Sequence, residues 1–418
     1  EAIDMAFADT SRISLGLAEE TTWGTFPGGN LEEVRFNSDS LNQSQSTTQS
    51  NEIRSDQQVP DVIRTGVSAE GGYSGEMSYS VTAFEKLLKG MLGAASDFTS
   101  PPAALTGEIQ AIASGNKFQS DSTGAGVDFT SISVGDWVRA SGFTNAANNG
   151  YFQVTAVDTA TASAHTITVV GDTLVDEATT AGRSIQGSAA LRNGTTEHSF
   201  SIEKQFNDLS LAARVLGYRA GGLSLSLNPQ EIVSYQWSGQ GKLITDTAGT
   251  DLTDKNASMD FTTLSTLNAA STNDIMNTTA GIGDVIINRD APIAATVQSM
   301  SANPQRNLRQ QQALKTGLGP AGIGVGQFTV TGSMTAYFED KKLLEEYLLF
   351  RQADIAIAIK DGSGNSYLFD FPAVRFGGSS IPTASGNNDD ATVPLDLTGF
   401  RSTRDGLDMM MGVHKFAA

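Results

Sequence analysis

Residues able to do chemistry are few in this chain and poorly placed to cooperate. The three histidines, His165, His198 and His414, sit in different stretches of the sequence, and none lies at metal-ligand spacing. With no cysteine, disulfides, thiolate metal sites and cysteine nucleophiles are all excluded. There is no G-x-S-x-G elbow, and no Ser, His and Asp are arranged to suggest a triad. The expectation is a protein with no catalytic residues, no metal and no cofactor.

Three segments imitate ligand sites. The glycine-rich run Gly317 to Gly326 offers a phosphate-cradling loop, but a strand follows it where a nucleotide site needs a helix, and no Lys-Ser/Thr pair follows its glycines. Asp361-Gly362-Ser363-Gly364-Asn365 hints at calcium, yet lacks the spaced acids and closing glutamate of a calcium loop, and a hairpin turn accounts for it. Asp389-Asp390 after Asn387-Asn388 could face a cation in an assembly, although paired acids in a polar loop are ordinarily solvated.

Composition narrows the class further. With 17% charged and 39% hydrophobic residues, 43 Gly and abundant Ser, Thr and Asn, the 418-residue chain resembles a β-protein with many polar turns and two or more cores. The net charge of −19 works against tight nucleic-acid binding. It fits either plain solubility or a surface that DNA must slide past without sticking. The opening Glu1-Ala2-Ile3-Asp4 carries no leader pattern and no apolar run reaches membrane-spanning length, so a soluble protein made in the cytoplasm is expected.

The elements that would position these residues come in two similar sets. Gly75-Glu76-Met77-Ser78 leads to Phe84, Leu87, Leu88, Met91 and Leu92. Gly332-Ser333-Met334-Thr335 leads to Leu343, Leu344, Tyr347, Leu348 and Leu349. Each is an alternating strand that switches to helical spacing. Thr82 with Glu85 fits a capping box for the first helix, and Asp340 suits the start of the second. Upstream, Val34 to Gln43 and Val297 to Gln305 supply similar strands, separated from the helix units by long polar connections at 44–70 and 306–324. Ile355, Ile357 and Ile359, the Asp361 turn and Tyr367 to Phe376 form a hairpin after the second helix. Its counterpart after the first helix, Ser199 to Ile202 with Leu223 to Leu227, is delayed, so residues 103–192 look inserted. Val134 to Arg139, Gly150 to Val154 and Thr166 to Val170 are strand signals within that insert.

Ser50 to Gln58, Val62 to Ala69, Leu15 to Gly24, and, in the insert, Val134 to Val138 and Ser141 to Phe152 closely resemble siphophage, non-contractile, major tail-tube proteins. The resemblance covers most of residues 10–245 and, more loosely, 280–400. It implies a mainly β fold: two tail-tube-type β-sandwich domains, whose sheets join into a barrel, each with one flanking α-helix, plus a small inserted β-barrel-like or Ig-like domain. The division is 1–102 with 193–245, the insert 103–192 facing outward, a linker 246–280, and 281–418.

The same resemblance implies a structural virion protein whose rings of six domain copies, hence three doubled chains, stack into the tube that conducts phage DNA. Its partners would be itself, the tape-measure protein in the lumen, the tail-tip and tail-terminator proteins, and DNA in transit, with no membrane binding. Its place would be the virion tail, assembled in the host cytoplasm. Inter-ring contacts are expected at Glu52, Ile53, Arg54, Asp56, Val62 and Arg64, with Arg306, Arg309, Leu314 and Lys315 as the second set. The outer helices present Phe84, Leu87, Leu88, Met91, Leu343, Leu344, Tyr347 and Leu348. Two other classes stay open: a different virion part such as a capsid decoration or adhesin, and, less favoured, a polysaccharide-acting enzyme, for which no acid pair is evident.

Overall fold

The computed structural model describes residues 7–418 apart from 121–126, 161–163, 172, 255, 280, 290–291, 294, 315–316, 340, 379–389 and 404–407. Lys315, Asp340 and Asp389 therefore lie outside the described residues. Strands dominate. The first stretch holds β1 (Ile13–Glu19), β2 (Leu31–Glu33), β3 (Ser38–Asp39), β4 (Asn42–Gln49), β5 (Val62–Gly71), β6 (Tyr73–Glu76) and helix α1 (Thr82–Leu92). Then come β7 (Leu105–Ile112), β8 (Lys117–Ser120), β9 (Trp137–Ser141), β10 (Gly150–Asp158), β11 (Thr166–Val169) and β12 (Glu177–Gly187). The chain continues through β13 (Ala189–Arg192), β14 (Phe200–Phe206), β15 (Leu211–Leu227), β16 (Ser234–Gly241), β17 (Leu243–Thr245) and β18 (Leu267–Asn268). It ends with β19 (Ile282–Ile287), β20 (Val297–Gln311), β21 (Gly322–Tyr337), helix α2 (Lys342–Leu348), β22 (Ala353–Lys360), β23 (Ser366–Gly377), β24 (Thr392–Gly399) and β25 (Gly412–Phe416).

Strands β7 to β12 close into a six-stranded barrel in the order β10-β11-β8-β7-β12-β9, filled by its own apolar cluster around Phe118, Phe129, Val138, Val154 and Ile167. The other nineteen strands are linked by pairing into one folded sheet. Its two parts follow the same pairing order. In the first, β1 pairs β14, which pairs β15, which pairs β17; in the second, β19 pairs β22, which pairs β23, which pairs β25. Likewise β4-β5 leads through β16 to β15, as β20-β21 leads through β24 to β23.

Strand β15 takes part in both series because it bends. Gly217, at φ 65°, occupies the left-handed region in its middle, and a Cβ there would meet the Trp23 indole at 2.9 Å. The indole Nε1–H donates to the Gly217 carbonyl at 3.2 Å. Beyond the bend, β15 pairs with β20, with Gly222 opposite Gln305, Leu225 opposite Ala302 and Leu227 opposite Met300. The two parts thus join edge to edge, and one continuous apolar cluster serves both.

Helix α1 forms where the spacing predicts it: Phe84, Leu87, Leu88, Met91 and Leu92 are all buried against β1, β2, β13 and β15. It stops at Gly93, left-handed at φ 66°. The capping box does not form. Thr82 is already helical, Val81 occupies the cap without a side-chain bond, and Glu85 accepts instead from the Tyr367 hydroxyl and the Lys415 ammonium, each at 2.5 Å. Partners from the distant β23 and β25 displace the local bond because an ammonium offers a carboxylate more than a backbone amide does.

Helix α2 departs from its expected apolar face. It has seven residues; Leu343 is buried, Leu344 and Tyr347 half-buried, and Leu348 and Leu349 exposed. Two turns resting on β23 cannot bury five apolar positions.

The 44–70 and 306–324 connections prove to be largely strand. They form the arms of β4-β5 and β20-β21, which leaves loops of 50–61 and 312–321. The described residues between 246 and 279 pack along the first part: β18 pairs β2 in parallel, Asp246 is fully buried, and Met276 joins the core.

Candidate assembly surfaces

Alternation in the strands gives the joined sheet two faces of opposite chemistry. Leu223, Leu225, Tyr235, Trp237, Met300, Ala302, Met334, Leu395 and Leu397 point into the core. The residues between them point away and line up in register. One row runs Ser38, Ser74, Gln236, Ser224, Asn303, Thr331, Thr398; the next runs Glu76, Ser234, Ser226, Ser301, Ser333, Asp396. All are at least partly exposed. Hydroxyl contacts bind neighbours together: Ser38 Oγ to Ser74 Oγ at 2.7 Å, Ser301 Oγ to Ser333 Oγ at 2.9 Å, and Ser224 Oγ donating to Asn303 Oδ1 at 2.6 Å. The first row ends at Arg375, whose guanidinium lies over the rings of Phe350 and Phe400.

At one end of this sheet, β4 pairs only with β5 among the described residues, and its sequence Asn-Gln-Ser-Gln-Ser-Thr-Thr-Gln carries no charge. An uncharged edge with free amide and carbonyl groups is a template for another strand. The hairpins that extend beyond the core present apolar tips, with Ile53 99% and Leu314 96% exposed. Among the described residues, no group of three or more His, Cys, Asp or Glu could hold a metal. No described helix is long and apolar enough to cross a membrane.

The family model for phage tail tube proteins matches residues 10–399. The chain belongs to the phage tail tube protein family. Its mainly β architecture suits that family, and its role is accordingly structural, as a component of a bacteriophage tail. No curated protein matches the sequence.

The positions singled out in this tail tube protein occupy different settings. Glu52, Ile53, Arg54 and Asp56 lie in the exposed 50–61 loop. There Arg54 and Asp56 pair with each other at 2.7 Å, and that bond holds the Asp56 carboxyl below its ordinary range. Val62 is half-exposed at the start of β5, while Arg64 is drawn back onto the Leu252 carbonyl. Arg309 and Leu314 are exposed. Arg306 departs from the expected loop contact. It lies within β20 and donates to the Leu92 carbonyl at 2.9 Å and the Gly194 carbonyl at 2.6 Å, satisfying the C-terminus of α1. Burial pushes its pKa down from the usual arginine value.

Two of the three ligand-like segments, the Asp361 turn and the glycine-rich run, lie among the described residues. Asp361 accepts from the amides of Ser363 and Asn365, both at 2.9 Å, and from Asn365 Nδ2 at 2.7 Å, so its own turn saturates it. Strand β21 starts at Gly322, within the glycine-rich run. His165 Nδ1 accepts from the Phe129 amide, and His198 lies between the Glu19 carboxylate and the Ala94 carbonyl, each at 2.8 Å.

Sequence reasoning missed the polar rows and one buried charge cluster. The Leu-Ser-Leu-Ser-Leu of 223–227 was visible, but which serines align depends on register. In the cluster, Arg289 donates to Asp354 at 2.7 Å, Asp370 at 2.6 Å and Gln153 at 2.7 Å, and the Trp137 indole donates to Asp370 at 3.0 Å. These partners come from β9, β10, β22 and β23, so it ties the barrel to the second part of the sheet.

Proposed function

We propose that this chain is the major tube subunit of a siphophage, non-contractile tail and carries the tube-forming domain twice, in 1–102 with 193–245 and in 281–418. Residues 246–280 connect the copies, and 103–192 form a separate outward module. Three chains close into a ring with pseudo-sixfold symmetry, and rings stack into the conduit for DNA.

The observation that carries this reading is the β15-β20 joint. It supplies the kind of edge pairing that a ring needs between every pair of copies, and it leaves β4 open for the next chain. The matched pairing orders support duplication, and the exposed hairpin tips with Ile53 and Leu314 suit contacts between rings. The partners that follow are further copies of the chain, a tape-measure protein in the lumen, and tail-tip and tail-terminator proteins. The location is the virion tail, after assembly in the host cytoplasm.

Electron microscopy of the purified protein, alone and with a tail-tip complex, tests this. Stacked rings with six inner repeats and three outer barrel densities are expected. Six barrel densities per ring would refute the trimer, and discrete particles that never stack would point to a decoration or adhesin.

A further inference from the structure

The two parts of the sheet match residue by residue through their pairing. Gly75 lies opposite Tyr235 as Gly332 lies opposite Leu397, and Ser38 and Asp39 face Ser74 and Tyr73 as Asn303 and Pro304 face Thr331 and Val330. Two residues beyond Asp39, Leu41 therefore holds the place of Arg306. On the receiving strands, Leu225 and Ser226 lie opposite Tyr235 and Ser234 as Phe376 and Gly377 lie opposite Leu397 and Asp396. Leu225 and Ser226 carry β20 on their other edge, whereas Phe376 and Gly377 pair with β24 alone among the described residues. The helix ends match as well. The Ala94 amide donates to the Lys89 carbonyl and the Arg351 amide to the Glu346 carbonyl, both at 3.1 Å, which puts Gly93 and Phe350 in one equivalent left-handed position, at φ 66° and 50°.

Inside the chain this helix end is closed across the β15-β20 joint. A Cβ at Gly93 would collide with the Arg306 guanidinium, which reaches from β20 to the Leu92 and Gly194 carbonyls. In the second part the glycine is replaced by Phe350 and the long cation by Leu41, so bulk moves from one side of the contact to the other. Phe350, Leu348 and Leu349 are each more than half exposed, and a left-handed phenylalanine is strained backbone of the kind kept at functional positions. We infer that Leu348, Leu349 and Phe350 are the docking surface for a second copy of the chain, whose Leu41 takes against Phe350 the place that Arg306 takes against Gly93. The inference rests on the ring reading above and deepens it, because it makes the joint within a chain polar and the joint between chains apolar. The incoming edge is open in the same way: Asn37 is exposed and Asp39 half-buried, where their counterparts Ala302 and Pro304 on β20 are buried. The exchange also keeps the copies in alternation. Leu41 set against Gly93 would leave the Leu92 and Gly194 carbonyls without their cation, and Arg306 set against Phe350 would meet bulk instead of space.

Because the chain has no cysteine, Leu41→Cys with Phe350→Cys gives a single reactive pair. In assembled tubes a short bis-maleimide should link chain to chain in a ladder that stops at the trimer. Unassembled subunits, and tubes carrying Phe350→Cys with the exposed barrel control Ala178→Cys, should stay unlinked. Phe350→Gly should leave subunit Tm equal or higher, since it removes the left-handed phenylalanine, yet slow tube formation roughly tenfold or more. Leu41→Arg should slow it likewise, and the double variant, which rebuilds the Gly93 and Arg306 contact between chains, should recover most of the lost rate. If the parent forms no tubes, the ring reading fails. If tubes form but positions 41 and 350 do not link chain to chain, or Phe350→Gly assembles at the parental rate, this inference is overturned. The Phe350→Gly arm decides the matter if the cysteine pair does not assemble.

Discussion

His414 is fully buried in β25, with its Nδ1 3.0 Å from Ser188 Oγ and, among the described residues, no hydrogen-bond partner for its Nε2. Burial, then the charges of Arg192 and Arg289, push its pKa well below the ordinary 6.5, so the folded protein holds it neutral. The unfolded chain takes up a proton at the ordinary value and the fold does not. Its contribution to stability is therefore whole above that value and is lost as pH falls below it. His414→Gln should lower Tm at about pH 8 yet show a shallower decline than the parent between about pH 7 and pH 5; equal slopes would remove His414 as the cause. Glu177 acts in a lower window. Burial raises its pKa, but the amides of Thr144 and Asn145, then Asn148 and Arg183, outweigh that and hold it at about 2. Its contribution is present above the ordinary glutamate value and is lost as pH falls toward about 2, so Glu177→Gln should flatten the acid limb of a Tm-against-pH curve.

At the scale of elements, the two helices make opposite predictions from similar sequence. Leu87 in α1 is fully buried, so Leu87→Ala should destabilise the subunit by about 2–5 kcal/mol in urea unfolding. Leu348 in α2 is 59% exposed, and Leu348→Ala should stay within about 0.5 kcal/mol. Strand β4 makes a different kind of prediction, because its free edge matters to assembly rather than to the monomer. Introducing Gln45→Lys together with Thr47→Lys should leave subunit Tm unchanged and abolish tube formation as followed by light scattering. Tubes forming at the parental rate would exclude β4 as the joining edge. The apolar face of α1 and the 353–377 hairpin were legible from periodicity alone, since both are local. The capping box at Thr82 was not, since Glu85 found stronger partners in Tyr367 and Lys415.

On the scale of the whole molecule, the barrel is reached from α1 and left through β13, yet it docks on the other part of the sheet. Trp137 and Tyr151 of the barrel pack with Ala356, Ala358, Leu368 and Phe416, and Tyr151 Oη donates to Ser366 Oγ at 2.8 Å. Arg289 sits beneath this contact and carries the interface charge. Arg289→Met would leave Asp354 and Asp370 buried without their cation and should cost about 3–5 kcal/mol, measured by urea unfolding. A cost below about 1 kcal/mol would mean that the two carboxylates find other compensation.

The sequence by itself determined the β-rich class, the apolar face of α1 and the strand signals within 134–170, because composition and periodicity are properties of short stretches. Only the tertiary structure decided that β15 meets β20, that both parts share one core, that Arg306 closes α1, and that the barrel rests on β22 and β23. Those outcomes depend on which edges and faces meet after the chain has twisted and bent. A period-2 pattern states that serines 224 and 226 point away from the core, but only the register brings them beside Asn303 and Ser301.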